Sequence, residues 1–280
     1  MTDVAAILAR WGASEAALIA DTPTSRVIRV QLADGGTAVI KDLKQIGVED
    51  ELRGASFLAW REGHGCARLL AREGSTLLIE DAGEYSVLDH LNERGDEAAT
   101  WVLAEAISAL HAPLPRPAPL DLQPLAEQFA SLLAKADADR ALGVDSLFVE
   151  AAGVARALLD DQRDVRPLHG DLHHENLLLG ERGWLAIDPK GLLGDPVYDA
   201  ANLFYNPVDR DDLRRNEGRI GSMASLLARA FDRDVATVLR YAFAHACLSA
   251  SWHVEDGNAA KADRSLGVAA AVRSVLRAAT

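Results

Sequence analysis

The sequence predicts an α+β chain of two unequal lobes, a small β-rich one followed by a larger and mainly helical one. Three observations carry that expectation. Paired Val- and Ile-rich segments crowd the first 80 residues, and helical apolar periodicity dominates the rest. Between residues 166 and 188 that periodicity gives way to short apolar pieces broken by polar residues.

Taken in order, residues 3–11 have the Val, Ala, Leu and Trp spacing of a short helix, ended by Gly12. Residues 26–31 and 37–43 flank Asp34-Gly35-Gly36 and predict a β-hairpin. Acid-rich residues 49–60 read as a helix and 77–79 as a short strand, and Asp81-Ala82-Gly83 breaks the chain after it. Helices are expected over 97–111, 122–136 and 145–159, the first two separated by a Pro-rich stretch at 112–119. Residues 176–179 and 184–187 predict a second hairpin through Gly180-Glu181-Arg182-Gly183, and helices follow over 211–230, 232–251 and 260–278. The boundary falls near residue 81, giving lobes of residues 1–81 and 82–280 with a cleft at their junction. Strand–helix units and an early glycine fingerprint, the marks of a dinucleotide-binding sheet, are missing.

A formal charge of −13 over 280 residues argues against a broadly basic nucleic-acid surface and suits a cationic small molecule. Cys66 and Cys247 are too far apart in sequence for a compact metal motif and read as small buried apolar residues. No basic leader and no membrane-length apolar run is evident, so the expectation is a soluble cytoplasmic protein without a membrane partner.

The chemistry concentrates in His169-Gly170-Asp171-Leu172-His173-His174-Glu175-Asn176, followed by Asp188 in Ile187-Asp188-Pro189-Lys190-Gly191. Singly, each acid reads as a turn or a cap. Together, a carboxylate, an Asn five residues on and a second carboxylate beyond a hairpin fit phosphoryl transfer. Asp171 is then the base that aligns an acceptor hydroxyl and takes its proton, and Asn176 and Asp188 are Mg²⁺ ligands. Lys41, on the second strand of the first hairpin, suits contact with nucleotide phosphates, oriented by Glu51 on the next helix. Thr22-Pro23-Thr24-Ser25 stands where a glycine-rich phosphate turn would be expected, with Ser25 a phosphate-side candidate. Glu80 to Ala82 would offer main-chain hydrogen bonds to adenine. A zinc site from His169, His173 and His174 is disfavoured because the spacing is wrong and no Cys supports it. His169 is expected to order the loop.

Leu168 to Glu175 with Asn176, and the stretch from Trp184 through Ile-Asp-Pro-Lys-Gly to Asn206-Pro207, closely resemble the aminoglycoside and hydroxyurea phosphotransferase family, above all its streptomycin 6-phosphotransferases. The resemblance is weaker from about residue 26 to 81. It implies a protein-kinase-like bilobal fold and transfer of the ATP γ-phosphoryl group to an aminoglycoside hydroxyl, foremost position 6 of streptomycin. It carries the base role to Asp171, Mg²⁺ to Asn176 and Asp188, ATP phosphates to Lys41, and orientation of Lys41 to Glu51. It adds Lys190 for phosphate or loop stabilisation, and Asp199 and Asn202 as residues ordering the acceptor side. Acids at 209, 211, 212, 217, 255 and 256 form a pool for a cationic drug, and Trp252 is either a sugar-facing wall or helix packing. The alternatives are a metabolic kinase for another polyol, amino sugar or hydroxylated metabolite, and a nucleotide-regulated binding protein. The second would be expected to have lost Asp171, Asn176 or Asp188, and all three are present. A protein kinase is disfavoured because Pro-Lys-Gly follows Asp188.

Overall fold

Alternation along the first hairpin decides which residues face the cleft. In the computed structural model, which describes residues 8–279, β1 (Ser14–Asp21), β2 (Ser25–Gln31), β3 (Thr37–Leu43), β4 (Leu69–Glu73) and β5 (Thr76–Glu80) form one antiparallel sheet. Its order is β1-β2-β3-β5-β4. Successive side chains point to opposite faces. Ile28, Val30, Ala38, Ile40 and Leu78 therefore pack together on one face, and Val27, Val39, Lys41, Leu77 and Ile79 line a cavity on the other. Register pairs Val27 with Lys41, and Lys41 with Leu77. A shift of one residue would bury Lys41 in the apolar layer.

The expected helix at 3–11 lies mostly outside the described residues, of which 8–10 are helical. Strands β1 and β4 were not expected. The residues of β1 are mostly exposed and its pairing with β2 is interrupted by register shifts, so it carries no alternation to read. Helix α1 (Val48–Arg61) begins with Glu49, Asp50 and Glu51, whose charges favour its N-terminus. Its Gly54 faces the loop after Asp188, and a Cβ there would stand 1.9 Å from the Pro189 carbonyl oxygen. Only glycine permits that approach.

Helices build the rest. Ser86 and Asp89 form a reciprocal cap for α2 (Val87–Arg94), and α3 (Asp96–Leu110) follows. The single helix expected over 122–136 is instead β6 (Gln123–Pro124), α4 (Leu125–Gln128) and α5 (Ala130–Ala141). Gln123 is drawn into strand pairing, and the fully buried Phe129 marks the break between the two helices. Next come α6 (Leu147–Asp160), β7 (Arg166–Leu168), the hairpin of β8 (Leu177–Gly180) and β9 (Gly183–Ala186), and β10 (Leu192–Gly194). Strand β10 pairs antiparallel with β7 and parallel with β6, so it clamps both ends of the segment between residues 168 and 192.

Helix α7 (Tyr198–Tyr205) is buried along its whole length. The helix expected over 211–230 divides into α8 (Asp211–Arg214) and α9 (Glu217–Phe231), because the Asn216 side chain accepts from the Arg219 N–H and starts a new helix. Asp234 and Asn258 cap α10 (Val235–Glu255) and α11 (Ala259–Ala278) in the same way. Helix α10 is buried on almost every side from Val238 to Ser251 and forms the axis of this lobe. No helix among the described residues is long and apolar enough to cross a membrane.

Candidate active site

A cavity of about 790 Å³ lies between the sheet and the segment from Ile187 to Pro189. Ser25, Lys41, Glu51, Glu80, Ala82 and Asp188, all singled out from the sequence, line it. Lys41 is nearly buried and bridges two carboxylates, Glu51 Oε2 at 2.5 Å and Asp188 Oδ1. Burial alone would push the Lys41 amine towards neutrality; the adjacent Asp188 and Glu51 charges outweigh it and hold the pKa above its ordinary value. Glu51 Oε1 also accepts from the Thr24 hydroxyl at 3.1 Å, tying the β1–β2 turn to the pair. Within that turn the Thr22 hydroxyl oxygen accepts from Ser25 N–H at 3.0 Å, so side-chain oxygens hold a bend that contains no glycine. Thr22 and Thr24 perform the ordering, whereas Ser25 is buried beneath them.

The Glu80 carboxylate is taken up within the fold, accepting from Arg182 Nε at 2.7 Å and from Arg68 N–H at 2.9 Å. Ala82 lines the cavity beside it.

The segment from His169 to Asn176 is held from below. Asp199, fully buried on α7, accepts from the N–H groups of His169 (2.9 Å) and Gly170 (2.7 Å) and from His111 Nε2 (2.9 Å). Burial pushes its carboxyl upward, but the hydrogen bonds from His111 and from the Gly170 N–H prevail and leave it below the usual range. His169 Nε2 donates to the Ile187 carbonyl at 2.8 Å while Nδ1 accepts from Asp171 N–H at 3.2 Å, which fixes a neutral tautomer. Burial lowers its pKa accordingly.

Asp171 Oδ1 accepts from Asn202 Nδ2 at 2.9 Å. Asn202 is itself oriented by His245, whose Nε2–H reaches Asn202 Oδ1 at 3.1 Å while its Nδ1 accepts from the Tyr198 hydroxyl at 3.2 Å. Asn176 gives its amide N–H to the Asp171 carbonyl at 2.9 Å, leaving its side-chain oxygen as an acceptor. Its main-chain carbonyl accepts from Ile187 N–H at 2.9 Å, which brings the 188 segment beside it. Asp188 has φ +59°, a conformation uncommon outside glycine, and its half-exposed carboxylate reaches Lys41. Asn176 and Asp188 thus offer a neutral and an anionic oxygen, a donor set suited to Mg²⁺ when phosphate oxygens and water complete the shell. Among the described residues no cluster of three or more His, Cys, Asp and Glu is placed to hold a metal alone.

Lys190 Nζ lies 3.8 Å from Asp171 Oδ2 and 5.4 Å above the Trp252 ring. Three of the late acids have partners of their own. Asp211 is taken by Arg214 and Arg264, Asp212 by Arg210, and Glu255 accepts from Ser131. Sequence reasoning missed His111 and His245, whose roles depend on partners 88 and 43 residues away.

The model of the aminoglycoside/hydroxyurea antibiotic resistance kinases matches residues 10–257. The chain belongs to this family. A streptomycin 3″-kinase from Klebsiella pneumoniae is 41% identical over 77% of this chain and 80% of its own. A hydroxyurea phosphotransferase from Kitasatospora aureofaciens is 34% identical over 95% and 76%, and a streptomycin 6-kinase from Streptomyces glaucescens 30% identical over 95% and 87%. The 6-hydroxyl expected from the sequence is therefore not singled out. Among solved structures, a fructosamine-3-kinase candidate from Thermobifida fusca superposes with a TM-score of 0.64 at 20% identity, covering 98% of this chain and 99% of the other. A thermostable mutant of the aminoglycoside phosphotransferase APH(4)-Ia, in complex with ADP and hygromycin B, gives 0.62 at 15% over 98% and 99%. The fold is protein-kinase-like and bilobal, and this family member is an ATP-dependent small-molecule kinase.

Proposed function

We propose that the protein phosphorylates streptomycin, transferring the γ-phosphoryl group of ATP to a hydroxyl of the drug in the cytoplasm. The observation that carries this reading is the convergence of Lys41, Glu51 and Asp188 at one end of the cavity, within a family of antibiotic-resistance kinases. Residues 1–81 would form the nucleotide-binding lobe and 82–280 the catalytic and acceptor-binding lobe. Lys41 takes the α- and β-phosphates, with Glu51 fixing its direction. The Thr22–Ser25 turn covers the phosphates, and the main chain from Glu80 to Ala82 meets the adenine.

Asn176 and Asp188 would hold Mg²⁺, which when bound offsets the negative charge of the phosphate oxygens. Asp171 accepts a hydrogen bond from the acceptor hydroxyl and takes its proton as the oxygen attacks phosphorus; ADP leaves with the electrons of the broken P–O bond. Asn202 occupies one Asp171 oxygen, so the other is left for the acceptor. Lys190 balances the charge near Asp171, and the Trp252 face beside it provides a wall for a sugar ring or guanidinium group.

The test is mass spectrometry of streptomycin incubated with the purified protein, ATP and Mg²⁺, with Asp171→Ala as control. A phosphate adduct made only by the native protein is expected, and NMR then distinguishes the 6- from the 3″-hydroxyl. Absence of an adduct would reject streptomycin and favour a metabolic kinase, tested next with hydroxyurea, amino sugars and polyols.

A further inference from the structure

Both oxygens of the Asp171 carboxylate have a neighbour. Asn202 Nδ2 donates to Oδ1 at 2.9 Å, and the Lys190 ammonium stands 3.8 Å from Oδ2. The main chain puts Lys190 there. The N–H groups of Lys190 and Gly191 both donate to the His169 carbonyl, at 2.7 and 3.3 Å, two residues before Asp171. Gly191 has φ +72°, and a Cβ on it would stand 2.4 Å from the Arg53 carbonyl oxygen, so α1 closes this turn from the other side. A Cβ on Gly170 would lie 3.3 Å from Lys190 Cβ, which sets the stem of the lysine against the chain entering Asp171.

The two contacts to the carboxylate differ in kind. Asn202 is buried and makes a directional hydrogen bond. The ammonium lies beyond hydrogen-bond reach and is held by charge, with the Lys190 and Asp171 side chains 42% and 33% exposed. Such a pair is weak and gives way easily. Its second support is the partly exposed Trp252 ring, 5.4 Å below the ammonium. The lysine therefore rests on the surface assigned above to the acceptor.

That placement bears on water, the commonest competitor of any acceptor hydroxyl. In hydrolysis the water oxygen would bond to the γ-phosphorus and its proton would pass to Oδ2. The bridging P–O bond would break, its electron pair leaving with ADP. A water that reaches Oδ2 beside Lys190 also meets the ammonium, whose N–H groups engage the lone pair needed for attack. Water has no further contacts with which to move the lysine. An acceptor spread over the Trp252 face has them, and its binding away from the reacting hydroxyl displaces the ammonium.

We propose that Lys190 is a specificity-determining residue that shields Asp171 from water until an acceptor displaces it. The proposal rests on the reading of Asp171 as the base, and it holds whichever acceptor is phosphorylated.

The experiment measures ADP release from ATP and Mg²⁺ with no acceptor present. Hydrolysis is expected to rise roughly threefold or more in Lys190→Met and Lys190→Gln, and to stay near the native rate in Lys190→Arg, which keeps the charge. Damage to the fold would lower hydrolysis, so a rise isolates the shield. Adding Asp171→Asn to Lys190→Met should remove the gain. A second readout needs no nucleotide. The chain has five lysines, and in their ¹³Cε–¹H spectrum the signal lost in Lys190→Met should move on Asp171→Asn. Hydrolysis unchanged or lower in both neutral variants, an equal rise in Lys190→Arg, a gain that survives Asp171→Asn, or a Lys190 signal indifferent to Asp171→Asn would each overturn the proposal. Undiminished phosphorylation of streptomycin by Asp171→Asn would instead reject the base assignment itself.

Discussion

Asn202 donates a hydrogen bond to Asp171 across 31 residues of sequence, and His245 sets the direction of that donor. The carboxylate proposed as base is thus positioned by a line of hydrogen bonds running Tyr198, His245, Asn202, Asp171. Asp171→Asn should reduce turnover by roughly 10²–10⁴-fold, the usual contribution of a general base, with ATP affinity retained. Asn202→Ala should lower kcat by roughly tenfold or more through misplacement of that carboxylate, with little change in the KM for ATP. Steady-state kinetics of ADP release, paired with calorimetry of nucleotide binding, separates the two outcomes. Normal turnover in Asp171→Asn would remove it from the mechanism.

Lys41 meets Glu51 and Asp188 together, so each carboxylate should have a separable effect. Glu51→Gln leaves Lys41 with Asp188 and weakens the tie to Thr24, and is expected to raise the KM for ATP more than it lowers kcat. Asp188→Ala should abolish the dependence of nucleotide affinity on Mg²⁺, read by titrating a nucleotide with and without the metal. A metal dependence identical to that of the native protein would count against Asp188 as a ligand.

The contact between Gly54 and Pro189 is equally open to test. In Gly54→Ala the new methyl meets the Pro189 carbonyl at an impossible distance, so α1 and the 188 segment must separate. Destabilisation of roughly 1–3 kcal/mol is expected, with a fall in kcat/KM for ATP as Glu51 moves from Lys41. Denaturant unfolding and kinetics on one preparation read both. A variant as active and as stable as the native chain would show that the two segments are not held in this contact.

Buried histidines predict an acid-sensitive fold. Burial pushes His174 down to about 3 and His245 to about 4, against an ordinary value near 6.5 in the unfolded chain. The unfolded state therefore binds more protons between those limits, and stability falls as pH drops through 6.5 towards 4. At pH 5 each of the two should cost about 2 kcal/mol relative to pH 7.5 or above. Urea midpoints measured at pH 7.5 and 5 check the sign. Replacing His174 by Phe should flatten the dependence, since both ring nitrogens lack partners.

Much of the site was legible because its chemistry is local. The His-Gly-Asp segment, the Asn five residues on and Asp188 beyond a hairpin form a pattern of spacing, and Lys41 betrays itself by interrupting a Val- and Ile-rich strand. What surrounds them was not legible. Strand β1 is exposed and bulged, so no alternation marks it. The fates of Asp211 and Asp212 depended on which arginines would fold next to them.

The sequence by itself determined the lobes, the hairpins that present Lys41 and Asp188, and the order of the candidate site residues, because turns, alternation and loop motifs act over a few residues. Only the tertiary structure decided that Asp199 anchors the His169–Asn176 segment and that His245 directs Asn202. Each of those relations is a hydrogen bond or a charge shared across many tens of residues, and a polar side chain in sequence does not reveal which distant partner will satisfy it once water is removed.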